Sequence, residues 1–424
     1  MAQPVNRLEE PDSVRAKDLI KLYKSKYETF NKAIHYNYRG ETRKYLKNVH
    51  ESMQEQIVRD IKKGEFILDE RFTNYVENLK FDILDKNPSL KPSIDHILVS
   101  RRISANALSL AEGSIFLNSG LFALLDNKAQ LTAVLCHEMA HQKLDHSSLT
   151  LLRNAKLSSQ TKDKKYLKSF KATGGKSKSE VAFSKLKQLL YSEGSLYRKQ
   201  EKEADSLGYL FFKKLGYNLG EYTYILNALE RTKDAPKITI DTTIYRKIFG
   251  TPQLPFKEEW MTMQNYEKYH YEHFKEKITQ DSLSTHPENE DRIAHLVALF
   301  NIDLNDTITA LDNEFLELKE LAKKEEISNL YYLEECGLSI YKILYRLQED
   351  KKSDTPYLFY WLGKNFKKLY EAKKKYQVNR YLDRASPKKQ DASYLFFLDF
   401  MWKLKLDDFK KLANHYTEHP YANN

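Results

Sequence analysis

The 424-residue sequence predicts a mainly α-helical protein with one small antiparallel β-sheet, an α+β fold. Three observations predict it. Apolar residues recur at helical spacing through 14–86 and again from about residue 304 onward. Three short apolar runs bounded by turn-forming residues lie between 96 and 118. An apolar helix bearing the pentapeptide HEMAH, His137 to His141, follows them.

In the first segment, Leu19, Leu22, Tyr23, Tyr27, Phe30 and Ile34 set one helix. Val49, Met53, Ile57 and Ile61 set a second, with Gly64 as its C-cap. Phe72, Val76, Leu79, Ile83 and Leu84 set a third, closed by Pro88 and Pro92. His96–Ser100, Ser104–Ala111 and Ser114–Asn118 then read as strands in tandem, Gly113 making a turn. Asn127 caps the HEMAH helix, and Gln130, three residues on, stands in capping-box position. Leu131, Leu135 and Met139 give that helix a buried stripe.

Residues 155–195, rich in lysine and serine, read as an exposed, partly helical insertion. A strong helix runs from Ser195 to Gly216 and another over Leu219–Leu229, whereas 232–283 reads as irregular and aromatic. In the helical C-terminal part, Trp361, Leu362, Gly363 and Phe366 echo the first helix of a tetratricopeptide repeat. One degenerate match is equally well explained by a plain array of helical hairpins. The expected division is an N-terminal helical region (1–92), a central domain (93–302) with inserts at 155–195 and 232–283, and a helical C-terminal domain (303–424).

The 69 basic and 59 acidic side chains leave a net charge of +10. The lysines are spread along the chain and interleaved with acids, so they read as solvated helix faces and no nucleic acid is expected as a partner. Two cysteines, Cys136 and Cys336, exclude a disulfide framework. No apolar run reaches the ~18 residues of a membrane-spanning helix, and the polar N-terminus shows no signal peptide.

The chemistry concentrates in HEMAH. Two histidines four apart lie on one helix face, about 5.4 Å from each other. His137 and His141 therefore reach one metal ion, and Glu138 can point at its open position. A hydrolytic zinc site needs a third protein ligand. The helix from Ser195 carries Glu201, Asp205 and Gly208 on one face. Glu201 is the candidate ligand, and Asp205 is placed to take the Nδ1–H of a ligand histidine. Gly208 would let this helix pack closely on the HEMAH helix. Glu203 reads as solvated, and His146, five residues past His141, reads as structural and off the ligand face.

HEMAH, then EKEAD, then STHPENEDR resembles the zinc endopeptidase family that includes HtpX and the CAAX prenyl proteases, in its soluble BepA-like branch. The matching residues are His137, Glu138 and His141; Glu201, Ala204 and Asp205; and His286 and Pro287 with Arg292. Upstream, Asn106, Ala107 and Gly120 fall in register with the family's edge strand and turn. The resemblance covers roughly 95–300. The membrane helices of the HtpX and CAAX branches are missing.

The resemblance implies a gluzincin-type core holding one Zn2+ on His137, His141 and Glu201, with Glu138 as general base. It implies His286 either as an oxyanion partner or as a fourth ligand that keeps the enzyme latent, and Arg292 as an anchor of that loop or a partner of Asp205. An edge strand with Asn106, Ala107 and Leu108 would bind extended polypeptide substrates by strand addition. The expected activity is endopeptidase cleavage of unfolded or misassembled proteins, with a protein partner on the C-terminal helices. The alternative is a chaperone-like or adaptor protein with a latent zinc site. The expected location is the periplasm or cell envelope with the signal absent from this sequence, the cytoplasm being the alternative.

Overall fold

The computed structural model describes residues 7–8, 11–91, 93–161, 195–231, 239–263, 289–302, 312–349, 355–386 and 390–418. Helix α1 (Ser13–Asn37) starts where the Asp12 carboxylate accepts the N–H groups of Val14 and Arg15. Helix α2 (Gly40–Lys62) ends at Gly64, which takes φ +73°. Gly64 N–H reaches Ile61 C=O and Glu65 N–H reaches Asp60 C=O, a paired closure that needs the left-handed conformation glycine adopts freely. Strand β1 (Phe66–Ile67) and helix α3 (Glu70–Lys86) lead to β2 (Ile97–Ser100), β3 (Ala107–Ser109) and β4 (Ile115–Asn118).

The sheet is mixed, not antiparallel. Its order is β1-β2-β4-β3, with β2 and β4 parallel and the other two pairs antiparallel. The chain crosses from β2 to the far edge and returns, so β4 inserts between its two predecessors. Burial explains why tandem hairpins were the expected reading. Ile97, Val99, Ile115 and Leu117 face one apolar core, while Leu98, Phe116, Leu108 and Phe66 face another. Strands covered on both faces read as continuous apolar runs and carry no alternation that would reveal their pairing. The two-residue β1 carries no periodic signal at all.

Helix α4 (Ser119–Leu124) leads into α5 (Lys128–Lys143), the HEMAH helix. Asn127 Oδ1 accepts Gln130 N–H, while the Gln130 side chain accepts from Asp126 N–H rather than from the cap residue. Every residue of α5 from Ala129 to Gln142 is buried, so the expected stripe is one side of a helix enclosed all round. Helices α6 (His146–Thr161), α7 (Ser195–Lys213) and α8 (Gly220–Arg231) follow. Most of the lysine-rich insertion lies outside the described residues. Next come α9 (Thr242–Phe249), α10 (Asn289–Phe300), α11 (Asn313–Lys324), α12 (Glu326–Tyr332), α13 (Cys336–Gln348), α14 (Thr355–Lys374), α15 (Ala392–Lys403) and α16 (Leu406–Thr417). Among the described residues no helix is long and apolar enough to cross a membrane.

Two compact units replace the expected three regions. The first spans Met1–Asp234 and Ser284–Glu325. The N-terminal helices belong to it: α1 and α2 cover one sheet face, α3 and α5 lie on the other, and buried Arg102 reaches Asp60 and Glu65, each at 3.3 Å. Helix α11 belongs there too, because Phe315, Leu318 and Leu321 enter the same core and Phe315 stacks on Phe122.

The second unit comprises Ala235–Leu283 and Glu326–Asn424. Part of the stretch expected to be irregular is helix α9, capped by Asp241. Its Phe249 and Tyr245 pack edge-on against Phe400, at 4.6 and 5.0 Å between ring centres. Gly363 lets α14 approach α16, since a Cβ there would lie 3.1 Å from the backbone nitrogen of Thr417.

Candidate metal centre

Helices α5 and α7 pack together at a glycine. A Cβ on Gly208 would lie 3.0 Å from the Cys136 carbonyl oxygen, 3.0 Å from His137 Cα and 2.4 Å from the Tyr222 hydroxyl. That approach brings three donor atoms to one point. His137 Nε2 and His141 Nε2 are 3.1 Å apart, and Glu201 Oε2 and Oε1 lie 3.6 and 3.4 Å from them respectively. All three side chains are buried.

Two imidazoles and a carboxylate, converging with donor atoms within 4.8 Å of one another, could hold a metal ion and fit the borderline-soft preferences of zinc. A cation there would be met by two neutral imidazole nitrogens and a carboxylate held away from water, where such charge pairing counts most. Glu138 is also buried, and among the described residues its Oε2 has no hydrogen-bond partner. Cys136, just before His137, is a free buried thiol in the apolar core whose pKa burial pushes up.

Around the donors runs a charged scaffold. His137 Nδ1–H donates to Asp205 Oδ1 at 3.0 Å. Arg292, on α10, donates from Nε and Nη2 to the two oxygens of Asp205, and its Nη2 also lies 3.3 Å from Glu201 Oε2. Burial alone would raise the Asp205 pKa, but Arg292 and then His137 outweigh it and hold the carboxyl well below the usual range. Burial likewise opposes charge on His137, yet Asp205 and Glu201 outweigh it and raise that pKa.

His146 lies elsewhere than its spacing suggests. It is buried, with Nδ1 2.9 Å from His141 Nδ1 and Nε2 3.3 Å from Glu203 Oε2. A helical projection misplaces it because α5 stops at Lys143. Asp145 takes φ +54° and turns the chain back, so His146 opens α6 against His141. An aspartate just past a helix end, tolerant of the left-handed region, was the available signal. Burial and the neighbouring His141 lower the pKa of His146 to about 3. Glu203 is half-exposed, not merely solvated, since it faces both His146 and Lys199.

Asn106 precedes β3, which holds Ala107 and Leu108 at the sheet edge beside α5. Ala107 N–H is taken by the Asn106 side chain, and the Ser109 carbonyl accepts from Ser147. His286 and Pro287 lie outside the described residues.

A comparison with curated proteins finds no match. The sequence model of peptidase family M48 matches residues 80–299, just over half of the chain, and spans α5 and α7, where the buried donors meet, and all but the last residue of α10. On that match the chain belongs to peptidase family M48, a family of metallopeptidases.

Proposed function

We propose that this protein is a zinc-dependent endopeptidase that cleaves unfolded or misassembled polypeptides. One observation carries the reading: the buried His137–His141–Glu201 donor group stands beside buried Glu138, whose Oε2 has no hydrogen-bond partner among the described residues. A zinc ion supplies, when bound by those three residues, polarisation of the scissile carbonyl and a lowering of water's pKa to about 7. Glu138 then takes the proton of the attacking water and delivers it to the departing amine. Asp205 holds His137 in the tautomer that presents Nε2, and Arg292 keeps Asp205 ionised and fixed.

Extended substrate would lie along β3 beside α5, with Asn106, Ala107 and Leu108 as its contacts. Unfolded chains suit such a site because they offer unpaired backbone groups. For the oxyanion partner the family resemblance offers His286. The test is cleavage of a reduced, unfolded protein by the purified chain before and after chelation. Activity should vanish with the metal and return with one equivalent of zinc. A chain that purifies without zinc and refuses it would sink the reading.

A further inference from the structure

A second hydrogen-bonded arm leaves the donor cluster on the side away from Asp205. His141 turns Nε2 toward His137 and Glu201, so an imidazole serving a cation there carries its proton on Nδ1 and must donate it. Nδ1 of His146 lies within reach of that proton, 2.9 Å away. The ring planes stand at 73° with centres 5.0 Å apart, and the close approach is between the two Nδ1 atoms. With that nitrogen accepting, the His146 proton sits on Nε2 and donates to Glu203 Oε2, 3.3 Å away. One tautomer assignment satisfies the whole chain.

We propose that His146 and Glu203 are positioning residues for His141: an imidazole and a carboxylate in series that fix its tautomer and ring plane and strengthen its Nε2 as a donor to a divalent cation. This rests on the zinc-site reading above. The arm parallels the His137–Asp205 pair but differs in kind. Asp205 is buried and clamped by Arg292, whereas Glu203 is 43% exposed and, beside His146, lies 3.6 Å from the surface cation Lys199. One ligand histidine is therefore held from within the core and the other from the surface.

Zinc affinity, measured by competition with a chromophoric chelator, separates the possibilities, with the melting temperature of the metal-free protein as control. His146→Leu keeps bulk and removes the acceptor, and should weaken zinc about 10- to 100-fold. His146→Gln offers an amide oxygen to His141 and an amide N–H to Glu203, and should keep most of the affinity. Glu203→Ala, at a half-exposed site, should fold normally and weaken zinc by a smaller factor, roughly three- to ten-fold. All three metal-free proteins should melt within a few degrees of wild type.

Wild-type affinity in His146→Leu overturns the proposal, as does equal weakening in His146→Leu and His146→Gln, which would mean packing alone. Should His146→Leu not fold, an unchanged affinity in Glu203→Ala overturns it instead. Failure of the wild-type chain to bind zinc is a separate outcome, which removes the zinc-site reading itself.

Discussion

Arg292 grips Asp205 with two nitrogens, Nε on Oδ2 and Nη2 on Oδ1, each at 2.7 Å and both residues buried. This pair joins α10 to α7 and stands directly behind the first ligand histidine. Removing one partner strands the other charge in the core, at a cost of about 3–5 kcal/mol. Arg292→Met should therefore lower the urea midpoint of the metal-free protein sharply and loosen zinc as well. A midpoint matching wild type would show that the pair contributes little to the fold.

Glu138 has a different expected signature. Glu138→Gln keeps size and leaves the three donors untouched, so zinc content should stay near one per chain. Cleavage of an unfolded substrate should fall about 10²- to 10⁴-fold. Undiminished cleavage would remove Glu138 from the chemistry.

Gly208 sets the spacing of the ligand helices. In Gly208→Ala the new methyl would press on the Tyr222 hydroxyl, 2.4 Å away, and on the α5 backbone at His137. Overpacking of this kind costs about 1–3 kcal/mol. Thermal unfolding should show that loss, and chelator competition should show weaker zinc. Tyr222→Phe combined with Gly208→Ala should recover only part of it, because the backbone contacts at 3.0 Å persist.

Acid sensitivity should come partly from His50. It is buried against Phe30, and burial lowers its pKa to about 4. The folded state resists a proton that the unfolded chain accepts near pH 6.5, so stability is full above about 6.5. It declines as pH falls from there to about 4, by about 3 kcal/mol. His50→Leu should flatten the stability profile across that window. An unchanged slope in urea titrations at pH 7, 6, 5 and 4.5 would falsify this assignment.

Much was legible in the residues themselves. Helical spacing, capping groups and glycine at helix ends are local, and α1, α2, α3, α5, α7 and α8 follow from them nearly as expected. The grouping of His137, His141 and Glu201 was legible too, because HExxH spacing fixes two donors on one helix face, and Glu201, Asp205 and Gly208 share one face of a second helix. Tertiary structure alone decided the rest. Strand order was hidden because both faces of the sheet are covered, so the parallel β2–β4 pair left no alternation to read. The core membership of α11 and the helical character of α9 depend on which cores their apolar faces enter.

His146 and Glu203 are the sharpest case. Their spacing to His141 carries no meaning until the chain reverses at Asp145 and α7 lies beside α5. Sequence determines what each helix face can offer; which face meets which is settled by long-range packing, and the orientation of His141 depends on that meeting.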